Sequence, residues 1–157
     1  MRGHRLSLVW LGHKLSDLRN IRSSSIGAER GPDVQRATHL FKEIQDAMGL
    51  MNELLPRYAQ MVRRYSEDVY RLMSEVSRVL KPDGKAVFVV GNSCLRGTFI
   101  RNSDGVIRAA SMVGLALTQQ MERELPDQSR YLPIPKQADK PLGKRMRTET
   151  ILTFKAA

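Results

Sequence analysis

The sequence predicts an α/β fold, in which the chain forms the C-terminal half of a doubly wound sheet after a helical N-terminal region. The central observation is the run Ala86–Val90, because five consecutive apolar residues rich in valine are typical of a strand buried on both faces. A second observation is the helical pattern on either side of this run. Because a helix crossover joins parallel strands, we expect this strand and the next one, Leu115–Leu125, to run parallel.

The turn before the central strand has the sequence LKPDG. Pro82 lacks an N–H group and ends the preceding helix near Val79-Leu80. Asp83 and Gly84 then predict a tight turn, for which we expect Gly84 to supply a positive φ.

The N-terminal third is predicted to be helical, with one basic loop. Arg5–Leu11 is a short apolar segment that fits a helix or a strand, with helix favoured, and Ser16-Asp17 can cap a second short helix. Arg19–Arg36 is rich in Ser, Gly and Arg, which predicts a loop. A helix is then expected from Asp33 to Leu55.

Downstream of Pro56, the apolar spacing predicts a helix over Arg57–Leu80. We expect Leu95–Asn102 to be an irregular loop and Ser103 to cap a helix that ends at Gly114. Pro126–Lys144 contains four prolines and reads as an extended connection, followed by a last, antiparallel strand at Arg147–Lys155.

Composition favours a polyanionic partner. The chain has 157 residues, with 26 basic and 16 acidic side chains and a formal net charge of +10. Such a surplus favours nucleic acid first and an anionic membrane surface second, while a basic protein without such a partner is the alternative. A single cysteine, Cys94, excludes an internal disulfide and fits a reducing cytoplasm, and no apolar run is long enough to cross a bilayer.

No catalytic constellation is visible. His4, His13 and His39 lack metal-ligand spacing, and Cys94 has no evident base beside it, so no metal site or nucleophile is predicted. Gly91-Asn92-Ser93 gains interest from its position, because ligands of open α/β sheets bind at the carboxyl ends of the strands.

The run EVSRVLKPDGKAVFVVGNS, from Glu75 to Ser93, resembles the late segment of class I S-adenosylmethionine-dependent methyltransferases. There, a helix ending in RxLKPGG precedes the fifth strand of a Rossmann-like sheet. The later strands of this chain resemble the antiparallel closing hairpin of that fold. The narrower resemblance is to the exocyclic-amino DNA methyltransferases, which act on cytosine N4 or adenine N6. It rests on the strand ending VxGNS and on the segment MRGHRLSLVWLGHKLSDLR.

The resemblance implies S-adenosylmethionine as cofactor and an exocyclic base amine of DNA, with RNA as the alternative, as acceptor. It divides the chain into residues 1–56, a target-recognition or lid segment, and residues 57–157, the C-terminal half of the methyltransferase domain. The family's (S/D/N)PP(Y/F) tetrapeptide and its Gly-rich cofactor motif are absent from the sequence, so no catalytic residue is assigned. The chain then corresponds to the part after the tetrapeptide, inactive alone.

Two groups of residues are candidates for contact with nucleic acid. The rim of a pocket for a flipped base is assigned to the residues at the strand end, Gly91, Asn92, Ser93 and Arg96. Phosphate contacts are assigned to basic residues of the predicted loops, with solvated loop charge as the alternative: Arg19, Arg22, Arg30, Lys136, Lys140, Lys144, Arg145 and Arg147.

Two further expectations concern partners. Three strands are a small part of such a sheet, and Val87–Val90 would present an apolar edge, which predicts self-association or a complementing polypeptide. The second functional hypothesis is a basic, non-enzymatic adaptor that binds nucleic acid or a partner through the helices at 33–80.

Overall fold

The computed structural model describes residues 9–26, 38–49, 51–125 and 148–156. Within these ranges it contains four helices and five strands. In chain order they are α1 (Leu15–Ser23), α2 (Thr38–Met48), α3 (Pro56–Val79), β1 (Ala86–Val90), β2 (Ser93–Leu95), β3 (Thr98–Ile100), α4 (Asn102–Met112), β4 (Leu115–Glu124) and β5 (Thr148–Ala156). A short 3₁₀ turn, Met51–Glu53, lies between α2 and α3.

The mixed α/β class is confirmed, but the expected ladder between parallel strands is not present in the described residues. The larger sheet has the order β1-β5-β4, and β5 pairs antiparallel with both neighbours. β1 and β4 therefore point the same way, as a helix crossover requires, but they do not touch as a pair. β5 lies between them, so every ladder of this sheet is antiparallel.

Strand β1 is covered on one face, which corrects the expectation of burial on both faces. Phe88 points into the core and meets Phe154 of β5 edge to face, with ring centroids 6.0 Å apart. Val87 and Val89 remain 59% and 56% exposed on the opposite face. Strands buried on both faces need a layer on each side. Among the described helices, α4 packs against β4 and β5, while Val87 and Val89 lie on the opposite face, so partly buried and exposed side chains alternate along β1.

The turn between α3 and β1 forms where the sequence predicts it, for a different reason. The Gly84 N–H donates to the Lys81 carbonyl at 2.8 Å, which places Pro82 and Asp83 at the centre of the turn. A Cβ on Gly84 would lie 2.9 Å from that same carbonyl oxygen and 2.9 Å from Leu80 Cδ1. Glycine is therefore required here by close packing against the end of the helix, and not by a positive φ.

The helix predicted from Asp33 to Leu55 is shorter in the structure. α2 ends at Met48, where Gly49 takes a φ of +131°, and the chain then passes through the 3₁₀ turn. Asp33 lies outside the described residues. The helix predicted over Arg57–Leu80 is confirmed as α3, with Pro56 as its first residue, a position where the missing N–H costs nothing.

The core lies between α2, α3, α4 and the inner face of the sheet. It includes Ile44 and Met48 of α2, Val69 and Met73 of α3, and Phe154 of β5. Met48 of α2 and Met73 of α3 are thus buried, and Met61 and Leu72 of α3 are half-buried. Residues from both sides of position 56 share this core, while the functional division of the chain at that position stays a prediction.

Helix α4 contacts both other core helices, α2 and α3, as well as strands β4 and β5. The Arg101 N–H donates to the Met48 carbonyl at 2.9 Å, which joins the start of α4 to the end of α2. At the other end of the helix, the Ser77 hydroxyl of α3 donates to the Val113 carbonyl at 2.8 Å. Gly105 lies so close to α2 that a Cβ there would be 2.5 Å from Met48 Cγ.

Several helix, strand and loop boundaries in the structure differ from those predicted from the sequence. Leu95–Asn102 is not an irregular loop, because β2 and β3 form a hairpin there. The basic loop predicted from Arg19 starts after Ser23, since residues 19–23 belong to α1, whose N-cap is Lys14 instead of Ser16-Asp17. Val9 and Trp10 are helical, as favoured for the first apolar segment, and β4 and β5 confirm the last two strands. The connection at 126–144 lies outside the described residues.

Candidate functional site

The end of strand β1 is fastened to the start of helix α4. The Asn92 Oδ1 atom accepts hydrogen bonds from both the backbone N–H and the hydroxyl of Ser103, each at 3.1 Å. In return, the side-chain amide of Asn102 donates to the Gly91 carbonyl at 2.9 Å and to the Ser93 hydroxyl oxygen at 2.8 Å. Each residue of the Gly-Asn-Ser tripeptide therefore contacts the first turn of α4.

Asn92 acts as a helix cap from outside the helix. The first N–H groups of a helix have no partner within it and are normally satisfied by the side chain of the N-cap residue. Arg101 occupies that position in α4 and makes no such bond. Asn92, nine residues before Arg101 and just after the end of β1, supplies the acceptor instead. Ser103 is buried, so this acceptor replaces water that the helix end does not reach.

The hairpin that follows has a two-residue tip, Arg96-Gly97. Leu95 pairs with Thr98, and both tip residues have positive φ, 53° for Arg96 and 98° for Gly97. This combination is the type I′ turn that matches the twist of the flanking strands. Arginine is unusual at the first tip position, where asparagine and glycine are favoured, so the residue is held in a conformation that costs free energy.

Arg96 is held at the tip by Tyr58, the third residue of helix α3. The Arg96 Nε–H donates to the Tyr58 hydroxyl at 3.2 Å. This hydrogen bond raises the pKa of the fully exposed Arg96 guanidinium above its ordinary value, so its charge is permanent. Within the described residues, no carboxylate pairs with Arg96, and its two terminal amino groups donate no hydrogen bond to a protein group.

The outer face of the hairpin is formed by Cys94 and Phe99, which face each other across the two strands. Both side chains are exposed, and the Phe99 ring has 58% of its surface open to solvent. Ile100, on the opposite face, is buried and anchors the hairpin to the core. Stacking on an exposed ring together with a phosphate contact from a guanidinium is a combination that binds unpaired bases, and this hairpin carries one group of each kind.

Five of the other exposed arginines in the described part have acidic neighbours. Arg101 Nε lies 3.2 Å from Asp104 Oδ2, and Arg78 lies 2.8 Å from Glu75. Further ion pairs join Arg71 to Glu67, Arg108 to Glu43 and Arg123 to Glu149. These partners neutralise much of the local charge, and Arg96 differs from all five arginines in this respect.

The structure brings together one of the two predicted groups of residues. Gly91, Asn92, Ser93 and Arg96 lie within a single strand end and hairpin. Of the phosphate candidates, Arg19 is exposed on α1, and Arg22 belongs to the same helix. The remaining candidates lie outside the described residues: Arg30, Lys136, Lys140, Lys144, Arg145 and Arg147.

Three residues of this site are not predicted by the sequence. Asn102 and Tyr58 act through contacts with residues 9 to 38 positions away, and such contacts leave no local pattern. Phe99 has a weak signal, because the alternation of Leu95 to Ile100 around Arg-Gly resembles a two-residue hairpin. Arginine in place of the usual asparagine or aspartate hides that signal.

The polar groups of the strand end hold the chain in place and leave no catalytic set exposed. Among the described residues no cluster of His, Cys, Asp and Glu could hold a metal ion. Within the same ranges no helix is long and apolar enough to span a bilayer. Comparison of the chain with protein-family models, curated proteins and solved structures finds no match.

Proposed function

We propose that this chain is the nucleic-acid-facing, C-terminal part of an S-adenosylmethionine-dependent methyltransferase that modifies an exocyclic amino group of a DNA base. The observation that carries the proposal is the strand end Gly91-Asn92-Ser93, which follows the RVLKPDGK segment and is fixed against the first turn of α4. A site that receives a flipped base needs a rigid rim of this kind.

Two features of the fold support the same proposal. The antiparallel pairing of β4 with β5 agrees with the closing hairpin that the resemblance implies. The hairpin tip places Arg96 and Phe99 beside the strand end, where a permanent positive charge and an exposed ring suit a phosphate and an unstacked base.

The chemistry of transfer falls to residues that this sequence does not contain. The methyl group passes from the sulfonium of S-adenosylmethionine to the amine nitrogen, which loses a proton. The tetrapeptide that holds the amine and the Gly-rich cofactor motif are absent from the 157 residues. The proposed role of this chain is to position DNA, with a complementing polypeptide supplying the cofactor site.

The non-enzymatic adaptor is the second candidate function, and one of its requirements is not met. An adaptor that used the methionine- and leucine-bearing stripe of α2 and α3 would need that stripe exposed. Ile44, Met48, Val69 and Met73 are at most 2% exposed. A basic DNA-binding protein without a methyltransferase partner keeps its support from the net charge of +10.

Calorimetric titration of the purified chain with S-adenosylmethionine, beside duplex-DNA binding at two salt concentrations, tests the proposal. We expect DNA binding that weakens steeply with salt, and no heat from the cofactor. Absence of DNA binding at low salt would overturn the proposal. Strong cofactor binding would show that the chain contains a cofactor site and would overturn the proposed division between two polypeptides.

The genomic sequence upstream of Met1 is then translated in frame, and the encoded polypeptide is produced. The cofactor and DNA titrations are repeated with this second polypeptide present. An (S/D/N)PP(Y/F) in that translation, together with restored transfer of labelled methyl groups to DNA, is the result expected of a methyltransferase. DNA binding without either result would favour the non-enzymatic alternative.

A further inference from the structure

The two edges of the larger sheet differ in a way that bears on assembly. Edge strands expose unpaired backbone N–H and C=O groups, and proteins protect such edges with charges, bulges or short strands. β4 is protected by the irregularity between Leu117 and Gln119 and by charged residues such as Glu122, Arg123 and Glu124. β1 is short but has no charge and no bulge within Ala86–Val90, and it pairs with β5 on one side only in the described part of the chain.

The face of the sheet beside this open edge carries one apolar cross-strand row. Val89, Ile151 and Met121 lie directly opposite one another across β1, β5 and β4. Val89 is 56% exposed and Met121 is 49% exposed, and Val87 adds a further 59% exposed side chain at the edge itself. The open edge and the exposed apolar face therefore coincide on the same strand.

We propose that a second copy of this chain binds at this edge, with β1 pairing antiparallel to β1 of its partner around a two-fold axis at Phe88. This register pairs all five residues of the strand. It sets Val87 against Val89 of the partner on the exposed face, and Ala86 against Val90 on the core face. Lys85, the nearest charge along the strand, falls outside the paired residues and faces Gly91, so no like charges meet.

The assembly closes at two copies. A two-fold interface uses the same edge on both partners, so the open edges of both chains are consumed at once. The remaining edges are both β4, whose bulge and charges oppose further pairing. The result is one six-stranded sheet, in which the Val89–Ile151–Met121 row continues into Val87 of the partner.

The sequence of β1 suits pairing with a second copy of itself. In antiparallel self-pairing, each residue of the strand must fit the residue opposite it in the second copy. In AVFVV, Val87 lies opposite Val89 of the second copy, so valine meets valine at both positions on the exposed face. This inference uses the sheet alone and does not rest on the proposed methyltransferase function. A complementing polypeptide that paired with β1 would compete with the second copy for the same edge.

Two double variants with the same loss of apolar surface test the register. In Val87→Lys/Val89→Lys, each cross-strand pair places two lysines opposite each other. In Val87→Lys/Val89→Glu, the same register places a lysine opposite a glutamate at both positions. Both sites are exposed, so the fold of each chain is expected to persist, and circular dichroism and thermal unfolding check this.

Sedimentation equilibrium over a concentration series, at low salt, measures association. We expect the wild-type chain to form dimers and no larger species, and the lysine–lysine variant to be monomeric. The lysine–glutamate variant should associate roughly tenfold or more tightly than the lysine–lysine variant, from two reversed charge pairs. The control Met121→Lys, on the same face but away from the edge, should still form dimers.

Three results would overturn the proposal. They are a wild-type chain that stays monomeric throughout the series, a lysine–lysine variant that associates like wild type, and a lysine–glutamate variant no tighter than lysine–lysine. A wild-type chain that does not self-associate, because a strand of a different polypeptide pairs with β1, counts as the first of these results. Sedimentation equilibrium measures neither DNA binding nor cofactor binding, so these outcomes can be distinguished from failure of the proposed function.

Discussion

Asn92 shows how one side chain can decide the position of a whole helix. Its Oδ1 atom accepts two hydrogen bonds from Ser103, which is 4% exposed and has no other route to water. A buried donor that loses its acceptor costs about 1–3 kcal/mol, more than the bond itself contributes. The same atom also lies at the positive end of the α4 dipole, where a partial negative charge is favourable.

Replacement Asn92→Ala should therefore lower the free energy of unfolding by about 1–3 kcal/mol. Asn92→Asp keeps an acceptor at the same place and adds a negative charge at the helix N-terminus, so it should stay within about 1 kcal/mol of wild type at neutral pH. Urea unfolding followed by circular dichroism measures both. Equal losses from alanine and aspartate would show that the acceptor is not what matters.

Tyr65, in the middle of α3, gives a prediction about pH. Burial raises the pKa of its phenol above the ordinary 10.0, because the ionised form would lose its hydration. The unfolded chain ionises this phenol at its ordinary pKa while the folded chain does not. The contribution to stability is thus complete below pH 10 and is lost as the pH rises toward the folded-state pKa.

Unfolding free energies measured between neutral and strongly alkaline pH should therefore decline above about pH 10, the ordinary tyrosine pKa. Tyr65→Phe should show a smaller decline over the same range, since it removes this titration and keeps the ring. A variant with the wild-type dependence on pH would assign the decline to other groups.

At the scale of elements, the contact of α4 with α2 is close enough to be tested by a single substitution. A Cβ at Gly105 would lie 2.5 Å from Met48 Cγ and 2.8 Å from Sδ, and Met48 is 1% exposed. Methionine can change rotamer, but a buried one has little space in which to do so.

Gly105→Ala should cost about 1–3 kcal/mol through overpacking. In a Met48→Ala background the clashing atoms are gone, so the same substitution should cost much less, and the double-mutant cycle should show coupling. Ser111→Ala, at an exposed position of the same helix, should change stability by less than about 0.5 kcal/mol. Additive effects of Gly105 and Met48 would contradict the packing.

Prediction from sequence succeeds for elements whose signal is local. α3, α4, β4 and β5 appear where periodicity and punctuation place them, because Pro56 and Gly114 act on their own neighbours. It fails for β1, whose pattern cannot say whether a second layer covers Val87 and Val89. It also fails for the hairpin at Arg96, since the Tyr58 hydrogen bond that helps to hold an unfavourable φ comes from another helix.

For the whole molecule, the net charge of +10 does not say which basic side chains are available to a polyanion. Within the described residues, arginines 71, 78, 101, 108 and 123 each have a carboxylate partner. An arginine already paired releases few ions from DNA on binding, because its charge is compensated before the complex forms. Binding should therefore depend on where unpaired charge lies, and not on the total.

Arg96 and Arg78 make a matched pair for this test. They have the same chemistry and are both exposed, but Arg78 pairs with Glu75 and lies about 30 Å along α3 from Tyr58, the residue that holds Arg96. In the proposed DNA-binding role, Arg96→Gln should lower the log–log salt slope of duplex binding by about 0.9, the effect of one phosphate contact. Arg78→Gln should leave the slope unchanged. Fluorescence anisotropy at several salt concentrations measures both, and equal slopes for the two variants would mean that the hairpin tip does not contact the DNA backbone.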